Sequence, residues 1–74
     1  MFVINRETKK SYKLMGELTL DASDEYPEFI AEAVDEYGQE CVVSWSASLQ
    51  EDGYTVRYLD DFVVEFLLPP PLPT

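Results

Sequence analysis

The stretch of residues 21–40 decides the predicted fold, and it reads DASDEYPEFIAEAVDEYGQE. It contains eight carboxylates and neither Lys nor Arg. Its apolar residues recur at positions i, i+1, i+4, i+5 and i+8, a spacing that places them on one side of a helix. These residues are Phe29, Ile30, Ala33, Val34 and Tyr37. The pattern predicts a helix over about residues 24–37.

The residues at both ends of this stretch agree with a helix. Ser23 or Asp24 can serve as the N-cap, because their side-chain oxygens accept hydrogen bonds from free backbone N–H groups. Pro27 falls in the first turn, where its missing N–H costs nothing. Gly38 is a typical helix stop.

Short strands are predicted on both sides of the helix, where apolar residues follow one another or alternate with polar ones. Gly16 marks a bend in the second strand, and Gly53 marks a tight turn after the third. The predicted strands cover residues 2–4, 12–20, 41–49, 54–58 and 62–68.

The predicted fold is a two-layer α+β domain of order ββαβββ, an antiparallel sheet with one helix packed on one face. Residues 1–68 form this single domain, and residues 69–74 form a proline-rich tail in an extended conformation. The last predicted strand has apolar residues on both of its faces. A homodimer through that strand is therefore an open alternative.

The charge is large and unevenly distributed. The net charge is −10. Residues 1–13 hold four cations against one acid, whereas residues 14–74 hold one cation against fourteen acids. Such a surface repels nucleic acid and anionic membranes and attracts basic proteins. Acidity that only maintains solubility is the simpler interpretation.

The composition argues against an enzyme. The chain has no His, which is the commonest general base and metal ligand. Cys41 and the serines therefore lack a basic partner, and the three Gly residues form no phosphate-binding loop. A calcium loop starting at Asp21 would need Gly where Tyr26 stands. We expect no catalytic residue, no cofactor and no metal.

The predicted location is the cytoplasm. A single cysteine, Cys41, cannot form an internal disulfide and favours a reducing compartment. The first ten residues, MFVINRETKK, lack the order of a signal peptide, and no apolar run is long enough to cross a bilayer.

The acidic side of the predicted helix is the candidate binding site. Its carboxylates are spaced by three, four, three and one residues, and no cation lies among them. On a helix they would lie about 3–4 Å apart along the axis, close to the roughly 3.4 Å charge spacing of one DNA strand. Acids at loop positions would extend the site. The candidate partner-binding residues are Glu25, Glu28, Glu32, Asp35, Glu36, Glu40, Asp60 and Asp61.

A small, His-free and strongly acidic α+β domain resembles phage-encoded inhibitors that mimic nucleic acid, such as anti-CRISPR proteins and the uracil-DNA glycosylase inhibitor. The resemblance lies in composition and architecture and transfers no residue. It implies a DNA mimic that occupies the basic nucleic-acid-binding surface of a target protein. Its most specific version is an anti-CRISPR protein that blocks DNA binding in the host cytoplasm.

Two alternatives stay open. An immunity protein or antitoxin that neutralises a basic nuclease needs the same negative field. A small dimeric adaptor would use the apolar last strand, with the PPPLP tail as a ligand for another domain.

Overall fold

The computed structural model describes residues 1–22 and 25–67, and in these residues the protein is all-β. Seven antiparallel strands form one curled sheet, a half-barrel. They are β1 (Phe2–Ile4), β2 (Ser11–Leu14), β3 (Thr19–Asp21), β4 (Glu28–Val34), β5 (Glu40–Gln50), β6 (Gly53–Val56) and β7 (Phe62–Phe66).

The predicted helix is wrong, and with it the α+β, two-layer architecture. Residues 28–34 form β4, a central strand. Its partner β5 runs antiparallel to it, from Glu28 opposite Ser46 to Val34 opposite Glu40. Strands β2 and β3 pair with its other edge. The N-cap prediction at residues 23–24 lies outside the described residues.

The apolar residues of β4 fit the spacing of a helix and also the two-residue repeat of a strand, which explains why a helix was wrongly predicted. Phe29, Ala31 and Ala33 also recur at every second position, as one face of a strand requires, and Ala31 and Ala33 are buried. A helix would crowd the carboxylates at i, i+4 spacing without any cation to relieve them. In the strand, Glu28 and Glu32 are separated by roughly 13 Å along the backbone. Ladders on both edges of β4 then override the local helical preference.

Gly38, which the sequence pattern predicts to be a helix stop, lies instead in the turn between β4 and β5. The N–H of Gly38 donates to the carbonyl oxygen of Asp35 over 3.0 Å, and Gly38 has a φ of 83°. Oδ1 of Asp35 accepts the N–H groups of Tyr37 and Gln39 at 2.9 and 2.8 Å. Asp at the first position and Gly at the fourth are typical of a type I turn, here followed by a bulge.

Two strands are interrupted, so the seven strands trace a five-stranded meander. β2 and β3 follow one another along β4, with a bend at Gly16 between them, as predicted. β6 and β7 follow one another along β5. Ala47 of β5 lies opposite Val56, and Trp45 of β5 lies opposite Phe62. Two residues along β5 therefore correspond to six residues between β6 and β7. Four extra residues therefore loop out before β7.

The first and last strands of the meander meet at one end of the half-barrel. Nδ2 of Asn5, just after β1, donates to the carbonyl oxygen of Phe62 at the start of β7 over 2.8 Å. The N–H of Arg6 donates to the carbonyl oxygen of Asp60 over 2.9 Å. These contacts hold the sheet in its curl.

The core lies on the inner side of the curl, with the Trp45 side chain near its centre. Its Nε1 donates to the carbonyl oxygen of Leu59 over 2.8 Å, and Phe62 packs between Trp45 and Tyr12 with ring centroids 5.6 Å from each. Burial is the main cause that raises the pKa of the Cys41 thiol and of the Tyr12 hydroxyl. The buried apolar residues are Val3, Tyr12, Leu14, Ala31, Ala33, Cys41, Val43, Trp45 and Phe62.

The strands predicted over residues 2–4, 41–49, 54–58 and 62–68 are confirmed at their centres, whereas the one predicted over 12–20 is divided into β2 and β3. The hairpin at residues 5–10 and the turn at Gly53 are also present, and Gly53 has a φ of 119°. The proline-rich tail lies outside the described residues. Among the residues described, no helix is long and apolar enough to cross a lipid bilayer.

Candidate protein-binding face

The sheet has two chemically different faces at its centre. Residues directly opposite one another in a register share a face, and the face alternates along each strand. One face of β4, β5 and β7 carries Ala33, Cys41, Val43 and Trp45, and it is buried in the core. We call the opposite one the outer face. It consists of Glu28, Ile30, Glu32, Val34, Glu40, Val42, Ser44, Ser46, Val63 and Glu65.

The registers place the carboxylates of the outer face around an apolar centre. Val42 of β5 lies opposite Glu32 of β4 on one side and opposite Glu65 of β7 on the other. These three residues form one row across the sheet. The next row reads Ile30, Ser44, Val63. Glu28 and Glu40 lie in the rows beyond. Val63 is 68% exposed and Ile30 and Val42 are half-buried, so the centre is accessible to a partner.

The spacing of these carboxylates differs from the predicted stripe. Glu32 and Glu65 are two strands apart, which is roughly 9–10 Å, and Glu28 and Glu32 are roughly 13 Å apart. Both separations exceed the roughly 3–4 Å expected from a helix. The outer face therefore does not repeat the charge spacing of a DNA strand.

Cations are absent from the strands that form this face. β4, β5 and β7 contain neither Lys nor Arg. Lys13 of β2 lies opposite Val34 and therefore on the same side of the sheet, at one border of the outer face. At another border, the N–H of Arg57 donates to the carbonyl oxygen of Ser46 over 3.0 Å. Asp21 of β3 lies opposite Glu28 and extends the acidic surface. The four glutamates of the outer face and Asp21 outnumber these two border cations, so the field over the face is negative.

The structure brings together three of the predicted site residues, Glu28, Glu32 and Glu40, on the outer face. Glu25 is exposed in the segment before β4. Asp35 and Glu36 lie in the turn between β4 and β5, and the Asp35 carboxylate is engaged with backbone N–H groups there. Asp35 thus has a structural role in the turn in addition to its predicted place in the binding site.

Asp60 and Asp61 do not belong to the outer face. They lie in the loop between β6 and β7. Oδ2 of Asp61 pairs with the Arg6 guanidinium at 3.1 Å, and the same guanidinium lies 5.4 Å from the centre of the Tyr58 ring. The loop therefore contacts the basic hairpin that follows β1.

Three acids of the surface are absent from the predicted site: Glu65, Glu17 and Asp21. Glu65 was assigned to the predicted last strand, but its neighbours in the sheet could not be known without the registers. Glu17 lies in the bulge between β2 and β3, which Met15 fixes by donating its N–H to the carbonyl oxygen of Glu32 over 2.8 Å. The bend at Gly16 was the available signal for a bulge, but not for its position beside β4.

A groove lies between this bulge and the outer face. Its volume is about 330 Å³. Ile30, Ala31 and Val42 supply its apolar lining, and Glu17 and Glu32 supply its carboxylates. Gly16 and Thr19 complete it. We call it the bulge groove.

The acidic side chains of the described residues are dispersed. Within residues 1–22 and 25–67, no three Cys, Asp or Glu side chains are grouped so that they could hold a metal ion. The carboxylates of the outer face are spread over the sheet instead.

No protein-family model, curated protein or solved structure matches this chain.

Proposed function

We propose that this protein is an acidic inhibitor that binds a basic surface of another protein through its outer face. The observation that carries the proposal is the carboxylate rim around an accessible apolar centre. Glu28, Glu32, Glu40 and Glu65 form the rim, and Ile30, Val42 and Val63 form the centre. Protein interfaces combine an apolar centre and a polar rim in this way.

Electrostatics favour a basic partner. With a net charge of −10, the protein attracts cationic surfaces over distances up to the Debye length, about 10 Å at 0.1 M salt. Nucleic-acid-binding proteins carry dense Lys and Arg on the surface that holds phosphates. The inhibitor would occupy that surface and so exclude nucleic acid.

The apolar centre distinguishes this proposal from acidity that serves solubility alone. A surface selected only for solubility has its apolar side chains dispersed and its charges mixed in sign. Here Val63 is 68% exposed, Ile30 lies across Ser44 in the same row, and Val42 lies in the next row. The same strands carry carboxylates and no cation. The wide carboxylate spacing favours complementarity to a protein surface over imitation of a phosphate strand.

The most specific version of the proposal is an anti-CRISPR protein acting in the host cytoplasm. An immunity protein that neutralises a basic nuclease would use the same face. The identity of the partner separates them, because a CRISPR effector complex supports the first and a toxin nuclease supports the second.

The test starts with capture of a partner from bacterial lysate at low salt, followed by its purification. The purified partner is then titrated with labelled DNA in the presence of this protein. We expect competition with DNA and an affinity that falls steeply as salt increases. A partner that binds DNA and this protein at the same time, or binding that does not change with salt, would refute the proposal.

A homodimeric adaptor is the second candidate, and one observation favours it. In the described residues β7 pairs with no strand other than β5, and Asn5 covers its other edge only at Phe62. At the far end of this edge, Phe66 and Leu67 are 43% and 50% exposed. Open apolar edges are pairing sites. Sedimentation at increasing concentration tests it: a monomer throughout would exclude the dimer.

A further inference from the structure

We propose that the bulge groove receives an arginine side chain of the partner protein. The inference rests on the proposed function for the existence of the partner, but its test needs no partner. At about 330 Å³ the groove lies at the lower end of the range for small-ligand sites, about 300–1,000 Å³. A single long side chain is the occupant that suits this size.

The lining of the groove matches the two parts of an arginine. The half-buried side chains of Ile30 and Val42 offer apolar surface to the methylene groups. Glu17 and Glu32 offer carboxylates to the guanidinium, whose planar fork donates several hydrogen bonds at once. Long basic side chains bury their stems and keep the charged end in contact with polar groups.

Arginine fits better than lysine for a physical reason. A guanidinium is more weakly hydrated than an ammonium group, so that less is lost when it enters a partly apolar groove. It can also contact two carboxylates in its own plane, whereas an ammonium acts as a point charge. Arginine is, in addition, enriched among the residues that dominate protein interfaces.

The backbone fixes both walls of the groove. Met15 donates its N–H to the carbonyl oxygen of Glu32, which ties the start of the bulge to β4. Leu18, at the end of the bulge, packs against the core. Glu17 is therefore held between two anchored residues and beside Glu32. A groove with fixed walls loses little conformational entropy when it binds a ligand.

Gly16 allows the groove to be closed by substitution. A Cβ atom at Gly16 would meet no other atom within 4 Å. Gly16→Leu should thus be accepted by the fold while its side chain narrows the groove. Gly16→Ala is the matched control, because it removes the glycine and leaves most of the space open.

The test is a titration of the isotope-labelled protein with acetyl-arginine-methylamide, followed by NMR. Acetyl-citrulline-methylamide is the neutral isostere, and acetyl-lysine-methylamide tests the choice of cation. We expect saturable shifts confined to the amides of the groove lining. Arginine should bind roughly tenfold more tightly than citrulline, the combined effect of two exposed ion pairs. Lysine should bind more weakly than arginine.

Variants locate the binding. Glu17→Gln and Glu32→Gln should each weaken arginine binding by roughly 2- to 5-fold. Gly16→Leu should abolish the shifts, and Gly16→Ala should preserve them. A control that neutralises the distant turn acids Glu51 and Asp52 should leave them unchanged.

Three results would overturn the inference. Citrulline that binds as well as arginine would show that the carboxylates do not matter. Equal binding of lysine would remove the assignment to arginine, and shifts that survive Gly16→Leu would place the ligand elsewhere. Failure of the proposed function is distinct, because it would appear as a partner whose binding ignores the outer face while arginine still binds the groove.

Discussion

Asn5 and Phe62 join the two ends of the sheet through a single side chain. Nδ2 of Asn5 donates to the carbonyl oxygen of Phe62 over 2.8 Å, and Oδ1 of Asn5 accepts the N–H groups of Glu7 and Thr8 at 2.9 and 3.2 Å. Asn5 is 7% exposed. One buried amide therefore shapes the first hairpin and holds it against the last strand.

Replacing Asn5 by Ala should destabilise the protein by about 2–3 kcal/mol, because buried backbone groups lose their partners. Urea unfolding followed by tryptophan fluorescence measures this change. Thr8→Ala is the control in the same hairpin, since its Oγ1 accepts an exposed hydrogen bond from Lys10. We expect a loss below about 0.5 kcal/mol for the control. Equal losses in both variants would contradict the role of Asn5.

Asp35→Ala should destabilise the protein by about 1–2 kcal/mol, because its carboxylate accepts two backbone N–H groups in the turn before β5. Asp35→Asn keeps the Oδ1 acceptor and should lose less. If residues 24–37 were a helix, Ala would instead be the better residue and would remove a like-charge contact. The sign of the change in unfolding free energy therefore distinguishes the turn from the helix.

The stability should fall as pH rises above about 9. Burial raises the pKa of the Cys41 thiol from its ordinary value of 9.0, and Asp35 raises it further. The unfolded chain then releases this proton first, so the folded state keeps its full stability below pH 9 and loses it at higher pH. Cys41→Ala should shift the onset towards 10.0, the ordinary pKa of Tyr12, whose pKa burial also raises. Urea midpoints measured across this range test the prediction. An onset that is unchanged in Cys41→Ala would contradict it.

Trp45→Phe should destabilise the protein by about 2–3 kcal/mol. It removes the hydrogen bond from Nε1 to the carbonyl oxygen of Leu59 and leaves a space in the core. The substitution should also accelerate amide hydrogen exchange more in the loop at residues 57–61 than in the turn at residues 35–39. Hydrogen exchange followed by NMR measures both. Equal acceleration in the two segments would show that the Trp45 bond does not hold the loop.

The sequence predicted most strands correctly because their apolar and polar residues alternate in a way that fits a strand and not a helix. Residues 41–49 alternate between apolar and small polar side chains and form the centre of β5. Residues 28–34 fit the repeat of a helix and the repeat of a strand equally well. Their pairing with β5 determines that they form a strand. The Asp35 and Gly38 pattern was informative, but Gly38 is also the residue expected after a helix.

The candidate site was predictable in composition but not in arrangement. Glu28, Glu32 and Glu40 were selected because they are acids without neighbouring cations, and the sheet places them on one face. Glu65 joins them only through the register between β5 and β7. Glu17 enters the bulge groove through the position of the bulge beside β4. Long-range pairing of this kind is not encoded in local spacing.

The outer face is tested most directly by two triple variants with the same change in net charge. One reverses three acids of the outer face: Glu28→Lys, Glu32→Lys and Glu65→Lys. The other reverses three acids in turns: Glu36→Lys, Glu51→Lys and Asp52→Lys. Circular dichroism and urea unfolding first establish that both variants fold.

The decisive measurement is the dissociation constant of each variant for the captured partner, at one salt concentration. The proposal predicts that the outer-face variant binds at least about 10-fold more weakly than the turn variant, because attraction at the rim becomes repulsion. Equal weakening would contradict it, since it would show that net charge alone, and not the outer face, governs binding.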